Sequence, residues 1–186
     1  MKRRTMVLAM TAAASLPRVA LAATKDESRA DVRKAAQQTL AALYKVQPSA
    51  RKAVESAAGY AVFSNFGMKI LVAGGGTGQG MAVNNKSKAE TYMKMVEVQA
   101  GLGFGIKKFR VVWVFGSQAA LSNFINSGWE IGAQATASAK SGDQGIALQG
   151  ALSIAPDIWL YQLTGDSLAL ELTAKGTKYY KDTDLN

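Results

Sequence analysis

The sequence contains no histidine and no cysteine, and only three prolines. Without cysteine there is no thiolate nucleophile, no disulfide, no acylated lipoprotein anchor and no sulfur ligand for a metal. Without histidine there is no imidazole base, so Ser-His and Cys-His arrangements are excluded. Acid–base or covalent chemistry would fall to carboxylates, Lys, Tyr, Ser or Thr. These absences argue against an enzyme and give no reason to expect a metal or a cofactor. Long apolar runs of membrane-spanning length are missing as well.

Positive charge is in excess, with 22 Lys and Arg against 13 Asp and Glu, or +9 over 186 residues. Much of this surplus sits at the start of the chain. Met1-Lys2-Arg3-Arg4 is a basic segment, Thr5 to Leu16 is mostly apolar, and Ala20-Leu21-Ala22 offers small residues for cleavage. This is the layout of a secretory signal peptide over residues 1–22. The paired arginines also permit twin-arginine export. Removing that segment takes away Lys2, Arg3, Arg4 and Arg18 and no acid, so +9 becomes +5. The case for nucleic-acid binding weakens accordingly, and a periplasmic or secreted protein, in contact with anionic lipid or polysaccharide, becomes the expectation.

Residues 23–186 read as one domain. Thr24 and Ser28 are candidate helix caps, and Val32, Ala36, Leu40 and Leu43 recur at helical spacing with Tyr44 beside them. Arg33, Lys34, Gln37 and Gln38 occupy the other side, so the segment predicts an amphipathic helix ending before Pro48. Ser49 is placed to cap a second short helix through Val54, with Gly59 as its terminator. Beyond Tyr60 the period changes from helical to two. Tyr60–Phe63, Met68–Ala73, Thr91–Met95, Phe109–Phe115, the segments beginning at Trp129 and Ile146, Ile158–Leu163 and Leu168–Leu172 all read as strands. Between Phe109 and Phe115 both faces are apolar, as in a covered central strand. Ser117 to Ile125 reads as one inserted helix, capped by Ser117 and ended near Gly128. Few helical crossovers separate the strands. The expected fold is therefore α+β: N-terminal helices packed on an antiparallel, partly barrel-like sheet of about eight strands with one inserted helix.

Two glycine-rich stretches stand out. Gly74-Gly75-Gly76-Thr77-Gly78-Gln79-Gly80 lacks the Gly-Lys-Ser/Thr ending of a phosphate-binding loop, and no helix follows it. A tight connection or a flat strand face is the better reading. From Val96 to Ile106 every even position is apolar, and Gly101, Gly103 and Gly105 lie on the opposite face, leaving bare backbone for a close neighbour. Lys107, Lys108 and Arg110 follow directly. With Arg29, Arg33 and Lys34 of the first helix, they are the candidate contacts for an anionic surface; Lys69, Lys86, Lys88 and Lys94 are secondary candidates.

Tyr92-Met93-Lys94-Met95, Gly101-Leu102-Gly103-Phe104-Gly105, Val111–Phe115, Phe124–Trp129 and the closing Lys178-Tyr179-Tyr180-Lys181-Asp182-Thr183-Asp184-Leu185-Asn186 resemble the bacterial, secreted branch of the SYLF domain family. The resemblance runs from about residue 28 to 186. It implies binding of acidic phospholipids through an N-terminal amphipathic segment and a basic surface, and it implies no catalysis. The actin binding of eukaryotic relatives is not expected of an exported bacterial protein. Two alternatives remain at this point. One is an integral eight-stranded outer-membrane β-barrel. The other is an envelope hydrolase built on a carboxylate pair drawn from Glu97, Glu130, Asp143 and Asp166.

Overall fold

A computed structural model describes residues 18–64, 70–71, 75–98, 109–131, 148–165, 167–169 and 177–186. Helix α1 spans Arg18–Val46 and α2 spans Ser49–Ser56; α3, Gln118–Ser127, lies between strands. The strands are β1 (Gly59–Ser64), β2 (Ile70–Leu71), β3 (Gly75–Asn84), β4 (Glu90–Val98), β5 (Phe109–Phe115), β6 (Trp129–Glu130), β7 (Leu152–Ala155), β8 (Ile158–Thr164), β9 (Ser167–Ala169) and β10 (Thr177–Lys181). They form one antiparallel sheet curled into a half-barrel, in the order β6-β10-β4-β3-β1-β5-β8-β7, with β2 added to β3 and β9 to β8. The expected α+β architecture is what the chain adopts.

Each face of the sheet carries its own apolar cluster. On one, α1 lays Val32, Ala36 and Leu43 onto Val62, Met81, Val112, Val114, Tyr161 and Leu163. On the other, α3 packs Leu121 and Phe124 against Phe63, Trp113, Phe115 and Tyr179. Most rings there meet edge-on or tilted, Phe63–Tyr179 at 4.7 Å and Phe115–Phe124 at 4.9 Å, while Trp113 and Phe115 lie parallel with centres 6.4 Å apart. Strand β5 separates the two clusters, and Val111 to Phe115 are buried on both sides. The double-sided apolar pattern anticipated this central position.

Several local expectations change. Thr24 and Ser28 are not caps: α1 runs straight through them, and the Ser28 hydroxyl donates back to the Thr24 carbonyl at 2.8 Å. On α1, Thr39 faces the core as well as Leu40, which packs against the same apolar cluster. Thr39 is buried and Leu40 half-buried, because the stripe follows positions 32, 36, 39 and 43. Ser49 is the first helical residue of α2 and not its cap; its hydroxyl accepts from Gln47 Nε2 at 2.6 Å. Helix α2 ends at Ser56, and Gly59 begins β1.

The Gly74–Gly80 stretch resolves as a strand face from Gly75 onward. At Gly80 a Cβ would stand 2.3 Å from both the Val62 carbonyl oxygen and Phe63 Cδ1, so the ring of Phe63 occupies the space a side chain would need. Helix α3 follows its expectation closely. The Ser117 hydroxyl accepts from the Ala120 amide at 3.3 Å, and the helix ends at Gly128, whose φ of +71° suits glycine. The glycines at 101, 103 and 105 lie outside the described residues, as does most of the strand expected from Trp129 to Ala139.

A candidate anionic-lipid surface

Among the described residues, the cationic side chains singled out in the sequence do not form one patch. Arg29 and Arg33, one helical turn apart on α1, both lean over the ring of Tyr92, at 5.8 and 5.6 Å from its centre. Arg33 Nε donates to Glu90 Oε2 at 2.8 Å, and the Tyr92 hydroxyl donates to the same oxygen at 3.1 Å. That hydrogen bond from the guanidinium to Glu90 raises the already high pKa of Arg33. Burial, followed by the charge of Glu90, raises that of Tyr92. Arg29 Nε donates to the Leu185 carbonyl at 2.8 Å, while Nη1 reaches Asp26 at 3.2 Å. Both arginines therefore join α1 to the sheet and to the C-terminal segment. Lys34 is exposed, with no ion pair among the described residues.

Lys94 is also engaged. Its ammonium sits 2.8 Å from Asp184 and 2.9 Å from Asp182. Hydrogen bonding to Asp184, then to Asp182, raises the Lys94 pKa, and the same contact lowers that of Asp184. The closing motif Asp182–Asn186 explains the pairing, because it folds back as a clasp beside β4. The Asp182 amide donates to the Tyr92 carbonyl at 2.9 Å, and the Tyr92 amide donates to Asn186 Oδ1 at 3.0 Å. Asn186 Nδ2 returns a bond to the Tyr92 carbonyl at 2.8 Å, and Leu185 is buried beneath α1.

Arg110 is half-buried and its guanidinium donates to the Gly165 carbonyl. Pairing places it opposite Ser64 at one end of β1, whereas Phe115 pairs with Gly59 at the other. The register runs Arg110–Ser64–Gln79–Lys94, so Arg110 is level with Lys94 but stands apart from it by the width of β1 and β3. Lys69, Lys107 and Lys108 lie outside the described residues.

A grouping not anticipated from sequence appears at the Gly59 end of the sheet. The turn Asn84–Ala89 joins β3 to β4. Asn84 Oδ1 accepts from the amides of Lys86 and Ser87 at 2.9 and 3.1 Å, an Asx-type turn. Asn85 Nδ2 donates to the carbonyls of Val54 and Ala57 at 2.7 and 3.0 Å, fastening the turn to α2. Lys86 and Lys88 of the turn and Lys52 of α2 are all exposed, and none has an ion pair among the described residues. Arg51 lies over Tyr44 at 4.4 Å and pairs with Glu55 at 3.6 Å. Nothing in the sequence linked α2, which carries Lys52, to the turn, since the junction depends on one asparagine side chain about thirty residues away.

Of the carboxylates weighed for hydrolysis, Asp143 and Asp166 fall outside the described residues. Glu130 is exposed on β6, and β10 separates that strand from β4, which carries Glu97. No helix among the described residues is long and apolar enough to cross a membrane.

The described residues define an α+β half-barrel with helices over both faces and exposed lysines on its rim. No protein-family profile matches the chain. Over 164 residues, 87% of its length, the chain is 31% identical to Beta cell expansion factor A of Aeromonas veronii, and it spans 60% of that protein.

Proposed function

We propose that this is a SYLF-type, non-enzymatic protein of the bacterial cell envelope, periplasmic or secreted, that binds acidic phospholipids at a membrane surface. The observation that carries the reading is how the charges are distributed. Glu55, Glu90, Asp182 and Asp184 are taken up by Arg51, Arg33 and Lys94, whereas Lys34, Lys52, Lys86 and Lys88 are exposed with no ion pair among the described residues. Each basic residue near an anionic membrane contributes about 1 kcal/mol, and a millimolar complex needs about 4 kcal/mol. Several lysines acting together suffice for weak, salt-sensitive attachment, and one does not.

Helices covering both faces of the sheet favour this reading over an integral barrel, whose outer face would be turned to lipid. The test is flotation of the purified chain with vesicles. The expected result is recovery on phosphatidylglycerol-containing vesicles at low salt, loss of binding as salt rises, and little recovery on neutral vesicles. Equal recovery on both would overturn the proposal.

A further inference from the structure

We propose that the end of the fold built from α2 and the β3–β4 turn is the face that meets the anionic phospholipid bilayer, through Lys52, Lys86 and Lys88, while α1 stays docked on the sheet. This inference rests on the acidic-lipid reading above and narrows it to one surface. Three observations converge. The turn is fastened to α2 by Asn85, so its lysines are presented from the same fixed scaffold that carries Lys52.

Local acids do not cancel them. Glu55 is held by Arg51 and Glu90 by Arg33, while Asp157 of the neighbouring β7–β8 turn is exposed at this end with no ion pair among the described residues. Other lysines are less favourably placed: Lys34 has Asp31 one helical turn away, Lys178 stands in register with Glu130, and Lys94 is neutralised.

Lys88 supplies the third observation. Its φ is +59°, a left-handed conformation that glycine or asparagine adopts more readily than lysine. The chain places an exposed lysine where backbone preference favours another residue. Such a local mismatch points to a use for that side chain.

Helix α1 is not free to contribute an inserting face. Val32, Ala36 and Leu43 are already buried against the sheet, and Arg29 and Arg33 hold the helix to Leu185 and Glu90. Binding is therefore electrostatic and peripheral, with the helix in place.

The experiment compares the full chain, the triple variant K52Q/K86Q/K88Q and the charge-matched variant K45Q/K178Q/K181Q by sedimentation with phosphatidylcholine vesicles with and without phosphatidylglycerol. Apparent affinity for the anionic vesicles is expected to fall about tenfold or more in the first triple, and by no more than about threefold in the second. Inorganic phosphate, added at the same phosphate concentration as the vesicles, is expected not to compete; full competition would identify a free-anion site and overturn the bilayer assignment. The K88G variant is expected to gain thermal stability while losing vesicle affinity, which separates the lysine's role from folding. Equal losses in both triples, or a larger loss in the second, would overturn this surface and leave the lipid reading standing. Failure of the parent chain to bind would overturn both. Loss of hydrogen-exchange protection in α1 on vesicles would overturn the docked-helix part.

Discussion

Arg33 of α1 and Glu90 of β4 meet at 2.8 Å, although 57 residues separate them in the chain. The pair bridges helix and sheet, and both side chains remain partly exposed, at 47% and 33%. Solvent screening limits such a pair to about 1 kcal/mol or less. Arg33→Gln is therefore expected to lower Tm by about 2–4 °C, measured by thermal unfolding. A drop several times larger would mean that the stacking over Tyr92 dominates.

The C-terminal clasp predicts a larger effect from a residue with little apparent importance in the sequence. Leu185 is buried beneath α1. Leu185→Ala removes that packing and is expected to cost about 2–4 kcal/mol, read from denaturant unfolding. Hydrogen exchange should place the earliest loss of protection in the first turns of α1 and in β4.

Acid and base act on the clasp in opposite senses. The folded pKa of Asp184 is lowered from its ordinary 3.8 by Lys94, so its contribution is present above about pH 4 and disappears as pH falls through the lowered value. The folded pKa of Lys94 is raised from 10.5, chiefly by Asp184, so its contribution is present below that pH and disappears as pH rises through the raised value. A Lys94→Met variant should flatten both ends of the stability-versus-pH profile. Unchanged profiles would show that the ion pairs do not couple to folding.

Burial also pushes Tyr44 and Tyr161 up to about 12. The unfolded chain ionises its tyrosines near 10, so stability falls as pH climbs from there towards 12. Tyrosinate absorbance of the folded protein should show these two rings titrating late, and Tyr161→Phe should remove one of the late steps.

Gly80→Ala is expected to cost about 3 kcal/mol or to abolish folding. A Cβ there would meet a backbone carbonyl at 2.3 Å, and a carbonyl cannot rotate away as a side-chain tip can. Thermal unfolding of the purified variant checks this.

Much of the fold was legible because period and burial agree. Val111 to Phe115 announced a central strand by being apolar on both sides, and Ser117 marked the start of α3 through a cap that the structure retains. The candidate surface was far less legible. Charge alone does not distinguish Arg33, held by Glu90, from Lys86, left exposed, because the carboxylate comes from a strand that sequence spacing does not place. Strand β10 was missed for a similar reason. Thr177–Lys181 is short and carries two lysines, and its identity as a strand depends on β4 and β6 to either side.

That arrangement bears on how the protein reaches its native state. A segment translated late lies between β4 and β6, both made much earlier. Until it emerges, β4 presents an open row of amide and carbonyl groups able to pair with another chain. Such distant pairing also makes for slow acquisition of structure, on the scale of milliseconds to seconds. A polypeptide kept extended until synthesis is finished, and shielded by a holdase meanwhile, would avoid that hazard.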